Sequence, residues 1–194
     1  MSGACAPRRR RRAFEAGGNV NAERRPIVAV IGNNRASERV VAIAEELGTL
    51  IVEYGWRLVT GGLGGVMEAA SRGAHASRSY REGDVIGILP GGEASAANRW
   101  VDIAVPTSMG YARNVLVVSM ADALVAVGGG AGTLTEMAMA WQLGKLVVGV
   151  DVEGWSGRLA GQAIDESRPD RVLSARDAAH AVEHLALVLG TARA

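Results

Sequence analysis

Three runs in this chain, Ile27–Ile31 (IVAVI), Ala123–Val127 (ALVAV) and Leu146–Val150 (LVVGV), are apolar at every position. A strand of that kind has no side to offer water, so it belongs in a sheet covered on both faces. Stretches of helical spacing separate the runs; Ser37–Glu53 repeats its apolar residues through Val40, Val41, Ala44, Leu47 and Ile51. Trp56–Thr60, Val85–Leu89 and Val101–Val105 read as further strands, and Val66–Ser77, Tyr111–Met120, Thr133–Leu143 and Ala175–Leu189 as further helices. Gly154–Arg171 follows neither period. Strands alternating with helices predict an α/β, three-layer Rossmann-like domain with a mainly parallel sheet. The 194 residues suit one such domain, spanning 26–194.

The formal charge of +1 hides an asymmetry. Residues 1–25 hold seven of the 21 basic residues and two of the 20 acidic ones, which leaves the body with 14 against 18. A mildly acidic body argues against a broad nucleic-acid surface. The run Arg8–Arg12 has few apolar neighbours and reads as a disordered, solvated tail. No apolar segment of signal-peptide length follows it, and no stretch reaches the roughly 18 apolar residues of a membrane span. Cys5, the only cysteine, leaves neither a disulfide framework nor a thiolate metal site, so a reduced, cytoplasmic setting is expected.

In a parallel sheet the loops that leave the carboxyl ends of the strands share one edge, where ligands bind. Three informative loops fall there: Gly32-Asn33-Asn34-Arg35, Gly61-Gly62-Leu63-Gly64-Gly65, and Gly128-Gly129-Gly130-Ala131-Gly132-Thr133. The last two each open a helix. A helix start presents unpaired N–H groups and a partial positive charge, and glycine removes the side chain that would hold a phosphate away. These loops therefore point to a phosphorylated ligand with a nucleotide-like body. They form no Walker loop, since the only lysine is Lys145 at the far end of the helix. A nicotinamide fingerprint would sit after the first strand, where this chain has GNNRAS.

Two charged residues near this edge carry alternative meanings. Thr133 and Glu136 have the spacing of a capping box, so Glu136 either faces its own backbone or faces a ligand. Arg113 opens a helix whose dipole disfavours a cation there, so it answers either to an anionic ligand or to a surface acid. Glu68 reads as a charge favourable to its helix dipole. His180 and His184, four apart but without nearby carboxylate or thiolate partners in sequence, read as ordinary helix residues, and no metal is expected.

From Ile27 to about Val150 the chain resembles the LOG family, often described as lysine-decarboxylase-like, within a superfamily that includes the DNA-processing DprA proteins. The family signature, Pro-Gly-Gly-x-Gly-Thr-x-x-Glu, reads here as Gly128 to Glu136, and Tyr54–Met67 and Met109–Asn114 match its other two segments. The resemblance implies phosphate binding by Gly61, Gly62, Gly64, Gly65, Gly129, Gly130, Gly132 and Thr133, with Met109 and Asn114 beside the ligand; Gly32 and Asn33 join them by their place on the same edge. It implies phosphoribohydrolase chemistry, cleavage of the N-glycosidic bond of a nucleoside 5′-monophosphate, with Arg113 and Glu136 acting at the ribose. Two departures, Gly128 for proline and Asn114 for lysine, look more like a sister branch that includes molybdenum-cofactor carriers, which bind a phosphorylated pterin without transforming it. The expectation is therefore a homodimeric binding or carrier protein for a phosphorylated nucleotide-like or pterin-like molecule. The phosphoribohydrolase is the alternative, and DprA-like DNA binding comes third. No cofactor is required; a bound nucleotide or molybdopterin-type ligand is the expected cargo.

Overall fold

The computed structural model describes residues 24–190. The Arg8–Arg12 run and Cys5 lie outside the described residues. Arg24 and Arg25, counted with the tail in the sequence reading, are pinned to the body: Arg25 donates to Asp84, Gly55 O and Trp56 O, and Arg24 pairs with Asp122.

Seven strands, β1 (Ile27–Gly32), β2 (Arg57–Thr60), β3 (Val85–Leu89), β4 (Ile103–Pro106), β5 (Ala123–Val127), β6 (Leu146–Val150) and β7 (Leu173–Ala175), form one sheet in the order β4-β3-β2-β1-β5-β6-β7. Every pairing is parallel. The helices are α1 (Glu38–Glu53), α2 (Val66–Ala76), α3 (Asn114–Met120), α4 (Ala131–Gln142), α5 (Trp155–Leu159) and α6 (Ala178–Leu189).

Alternate residues of β1 feed two separate cores. Val28 and Val30 pack with Val40, Leu47 and Ile51 of α1, Val66 and Ala70 of α2, and Leu185 of α6. Ala29 and Ile31 pack with Val117 and Val118 of α3 and Met137 and Trp141 of α4. The sheet is thus covered on both faces, as its all-apolar strands require, and each fully buried Val or Leu contributes about 1.5–3 kcal/mol. On the first face α1 and α2 approach closely because both are bare at the crossing. A Cβ on Gly73 would stand 1.7 Å from Glu45 O, and one on Gly48 1.9 Å from Ala70 O.

Several elements differ from the sequence reading. The strand expected at Val101–Val105 is shifted to Ile103–Pro106, and the helix expected from Tyr111 opens as a 3-10 turn over Gly110–Arg113. Leu173–Ala175 is a strand, so the closing helix starts at Ala178, where Asp177 caps it by accepting from His180 N at 2.8 Å. Three residues are too few to display a period of two. Within the unassigned stretch, Trp155–Leu159 forms α5.

Candidate functional site

The chain runs outward from β1 to β4 on one side and then returns to β5 on the other side of β1. That reversal opens a crevice at the carboxyl ends of β1 and β5, the place where such sheets bind ligands. Gly32 and Val127 are register partners, so the loops that follow them start side by side. A cavity of about 380 Å³ lies there, lined by residues that include Gly32, Asn33, Asn34, Gly61, Leu63, Met67, Tyr111, Arg113, Asn114, Gly130, Gly132, Thr133 and Glu136.

The two glycine-rich helix starts are not equivalent. In the loop before α2 the amides are taken by the protein itself: Gly62 N donates to Thr60 Oγ1, Gly64 N to Asn34 Oδ1, and Val66 N to Asn33 O. At α4 the cap is Gly130, which has no side chain to cap with, and Gly130, Ala131 and Gly132 are exposed. The first-turn N–H groups of α4 have no partner in their own helix, and the residues that carry them line the cavity.

The start of α4 also decides the meaning of Glu136. Because the helix begins at Ala131, Thr133 lies within it and no side chain caps its end, so the capping box is not formed. Glu136 instead points from the second turn into the cavity lining, 94% buried, with Oε1 3.8 Å from Arg113 Nη1. Burial pushes its carboxyl up to about 7, and the Arg113 charge only partly opposes that. Arg113 is itself buried, and desolvation lowers its pKa against the pull of Glu136. Its Nε is fully enclosed without a hydrogen-bond partner, and 3.8 Å is too long for a hydrogen bond to Glu136. The guanidinium seats against bare backbone at Gly61, where a Cβ would stand 2.2 Å from Nη2. An inward-facing acid, not a surface one, is therefore its neighbour.

The other residues singled out in the sequence divide in position. Asn33, Asn114, Gly130, Gly132 and Thr133 join Arg113 and Glu136 in the cavity wall. Gly32 lines it as well, and its lack of a Cβ admits Val66 at the base of α2. Gly62, Gly64, Gly65, Gly129 and Met109 are outside that lining. Gly64 lines an adjoining hollow with Asn34, Arg35 and Asn98. Gly62, Gly65 and Gly129 hold φ of +70°, +60° and +102°, so they shape the loops. Gly128 holds φ +68°, which proline cannot adopt, so this loop starts differently from one that begins with proline.

Two supports of the site escaped the sequence reading. Ser156 Oγ, fully buried, accepts from Gly128 N at 2.8 Å and donates to Val150 O at 2.7 Å, while Trp155 N donates to Gly129 O. The glycine loop is thus braced from α5. Asn34 ties the loop after β1 to the loop after β2. The signal for Ser156 was faint: a serine two places after Gly154, in a stretch without periodicity. His180 and His184 stack at 4.5 Å on α6, and His184 also meets Ser174 O. Among the described residues no group of three or more His, Cys, Asp or Glu could hold a metal, and no helix is long and apolar enough to cross a membrane.

The fold and this crevice define a three-layer Rossmann-like protein with its cavity at the topological switch point. More narrowly, the chain belongs to the SLOG cluster4 family, whose model matches residues 25–182. An uncharacterized protein of Archaeoglobus fulgidus is 45% identical over 120 residues, 62% of this chain and 76% of the relative. The molybdenum cofactor binding protein of Rippkaea orientalis superposes with a TM-score of 0.77 at 34% identity, covering 87% of this chain and 99% of that one. The molybdenum cofactor carrier protein of Chlamydomonas reinhardtii superposes with a TM-score of 0.71 at 32% identity, covering 87% and 100%. The expected kinship with the carrier branch is thus met.

Proposed function

We propose that this protein binds and carries a phosphorylated small molecule with a nucleotide-like or pterin-like ring, held at the start of α4 and by Arg113. The carrying observation is the Arg113 guanidinium, buried in the cavity wall beside the start of α4, with Glu136 beyond hydrogen-bond distance at 3.8 Å. A buried cation with unmet donors favours a ligand that brings oxygen acceptors. The names of the Rippkaea and Chlamydomonas relatives support a molybdopterin-type cargo. So does Asn114, whose neutral amide stands where the LOG signature has a lysine.

One observation favours the hydrolytic alternative. A carboxyl held near 7 beside a cation suits proton transfer at a leaving base or a water. The two readings separate in one experiment, in which AMP and a phosphorylated pterin are each titrated by calorimetry and the mixtures are then analysed for free base. Binding without release supports the carrier. Release of adenine that Glu136→Gln abolishes refutes it, and absence of binding by either ligand refutes both readings.

The homodimer expected from the resemblance has a candidate surface on α3, where Val115, Leu116 and Met120 are exposed. Mass measured by light scattering checks it, and a monomer at micromolar concentration overturns it. A cytoplasmic setting suits a binder of phosphorylated metabolites.

A further inference from the structure

The cavity lining combines charged and polar residues with an apolar group. The start of α4, which follows β5, contributes Gly130, Ala131, Gly132 and Thr133, and Arg113 reaches from the 3-10 turn before α3 to Gly61 after β2, with Glu136 3.8 Å away. The apolar group is Leu63 from the loop after β2, Met67 from the first turn of α2, and Tyr111 from the 3-10 turn before α3. β2 and β5 flank β1, so the loops that follow them start two strand spacings apart, about 10 Å. A phosphate joined to a ring by a sugar-sized linker spans that interval.

Tyr111 stands out in this group. It lines the cavity while 92% exposed. An exposed aromatic side chain in the wall of an anion site is a platform for a flat ring, because stacking removes apolar ring surface from water. Leu63, half-buried, belongs to the apolar wall. Asn34 spends its Oδ1 on Gly64 N, which leaves its Nδ2 donors in the same lining for ring acceptors.

We infer that Tyr111 is a specificity-determining residue that stacks on the heteroaromatic ring of the ligand, so that the site selects ring-bearing phosphomonoesters over phosphosugars alone. This rests on the phosphate-binding reading above.

The test compares AMP with ribose 5-phosphate by calorimetry, in the wild type and in Tyr111→Phe, Tyr111→Leu and Tyr111→Ala. Mass is followed by light scattering so that a change of assembly is not mistaken for a change of site. Base–aromatic stacking is lost on truncation at a cost of roughly 5- to 150-fold in Kd. AMP affinity should therefore fall by that factor in the Ala variant, fall appreciably in Leu, and hold in Phe, while ribose 5-phosphate binds all four alike. Equal loss for both ligands, or unchanged AMP binding in Tyr111→Ala, overturns the platform but leaves the phosphate site standing. If neither ligand binds the wild type, the phosphate reading falls and the platform falls with it.

Discussion

Replacing Gly61 by alanine tests the geometry of the site through a single methyl group. Gly61 follows β2 without a positive φ, so alanine is compatible with its backbone. The new Cβ, however, would stand 2.2 Å from Nη2, 2.6 Å from Nη1 and 2.6 Å from Cζ of Arg113. Relaxed non-bonded contacts are about 3.5 Å, so the guanidinium must retreat by about 1.3 Å. The crowded atoms are the far end of a side chain and not backbone, so the fold should yield locally and Tm should fall by only a few degrees (~2–4 °C per kcal/mol at this size). A retreat of that size breaks hydrogen bonds from Arg113 to an anionic ligand, each worth about 1.5–3 kcal/mol when charged. The Kd for AMP should then rise by roughly 10- to 150-fold. Calorimetry beside a thermal melt checks both numbers. Wild-type affinity in Gly61→Ala would refute the assignment of Arg113 to the ligand, and collapse of the fold would refute the claim that the pocket absorbs the methyl group.

Glu136→Gln should alter pH dependence. The folded carboxyl is held at about 7 against an ordinary value of 4.5, so between those values the folded state keeps a proton that the unfolded chain has lost. Stability from this group is complete below 4.5 and declines as pH rises through 7, by up to on the order of 3 kcal/mol. Urea unfolding at pH 5 and 7.5 should show that slope in the wild type and a flatter one in Glu136→Gln; parallel slopes would exclude a buried titrating Glu136. Gly73→Ala brings a methyl group against backbone, at Glu45 O, so it should lose about 1–3 kcal/mol of stability while AMP affinity, measured well below Tm, stays within twofold.

The sequence carried most of the sheet because its signal was redundant. Strands apolar at every position cannot be exposed, and the alternating helices forced parallel pairing. It could not carry β7, whose three residues are too few for a period, or Ser156, whose partners Gly128 and Val150 come from other elements. Arg113 and Glu136 were identifiable as residues, through an unfavourable cation at a helix start and a signature acid. Their relation was not, since 23 positions separate them along the chain.

The amino-acid pattern alone determined the layers, the two glycine loops and the edge on which they lie, because hydrophobic periodicity and glycine content are local properties. Tertiary structure decided what each loop does. Asn33 and Asn34 fold back to occupy the amides before α2, while those of α4 stay open. The true start of α4 at Ala131 turns Glu136 away from a cap and into the cavity, where burial and Arg113 set its charge.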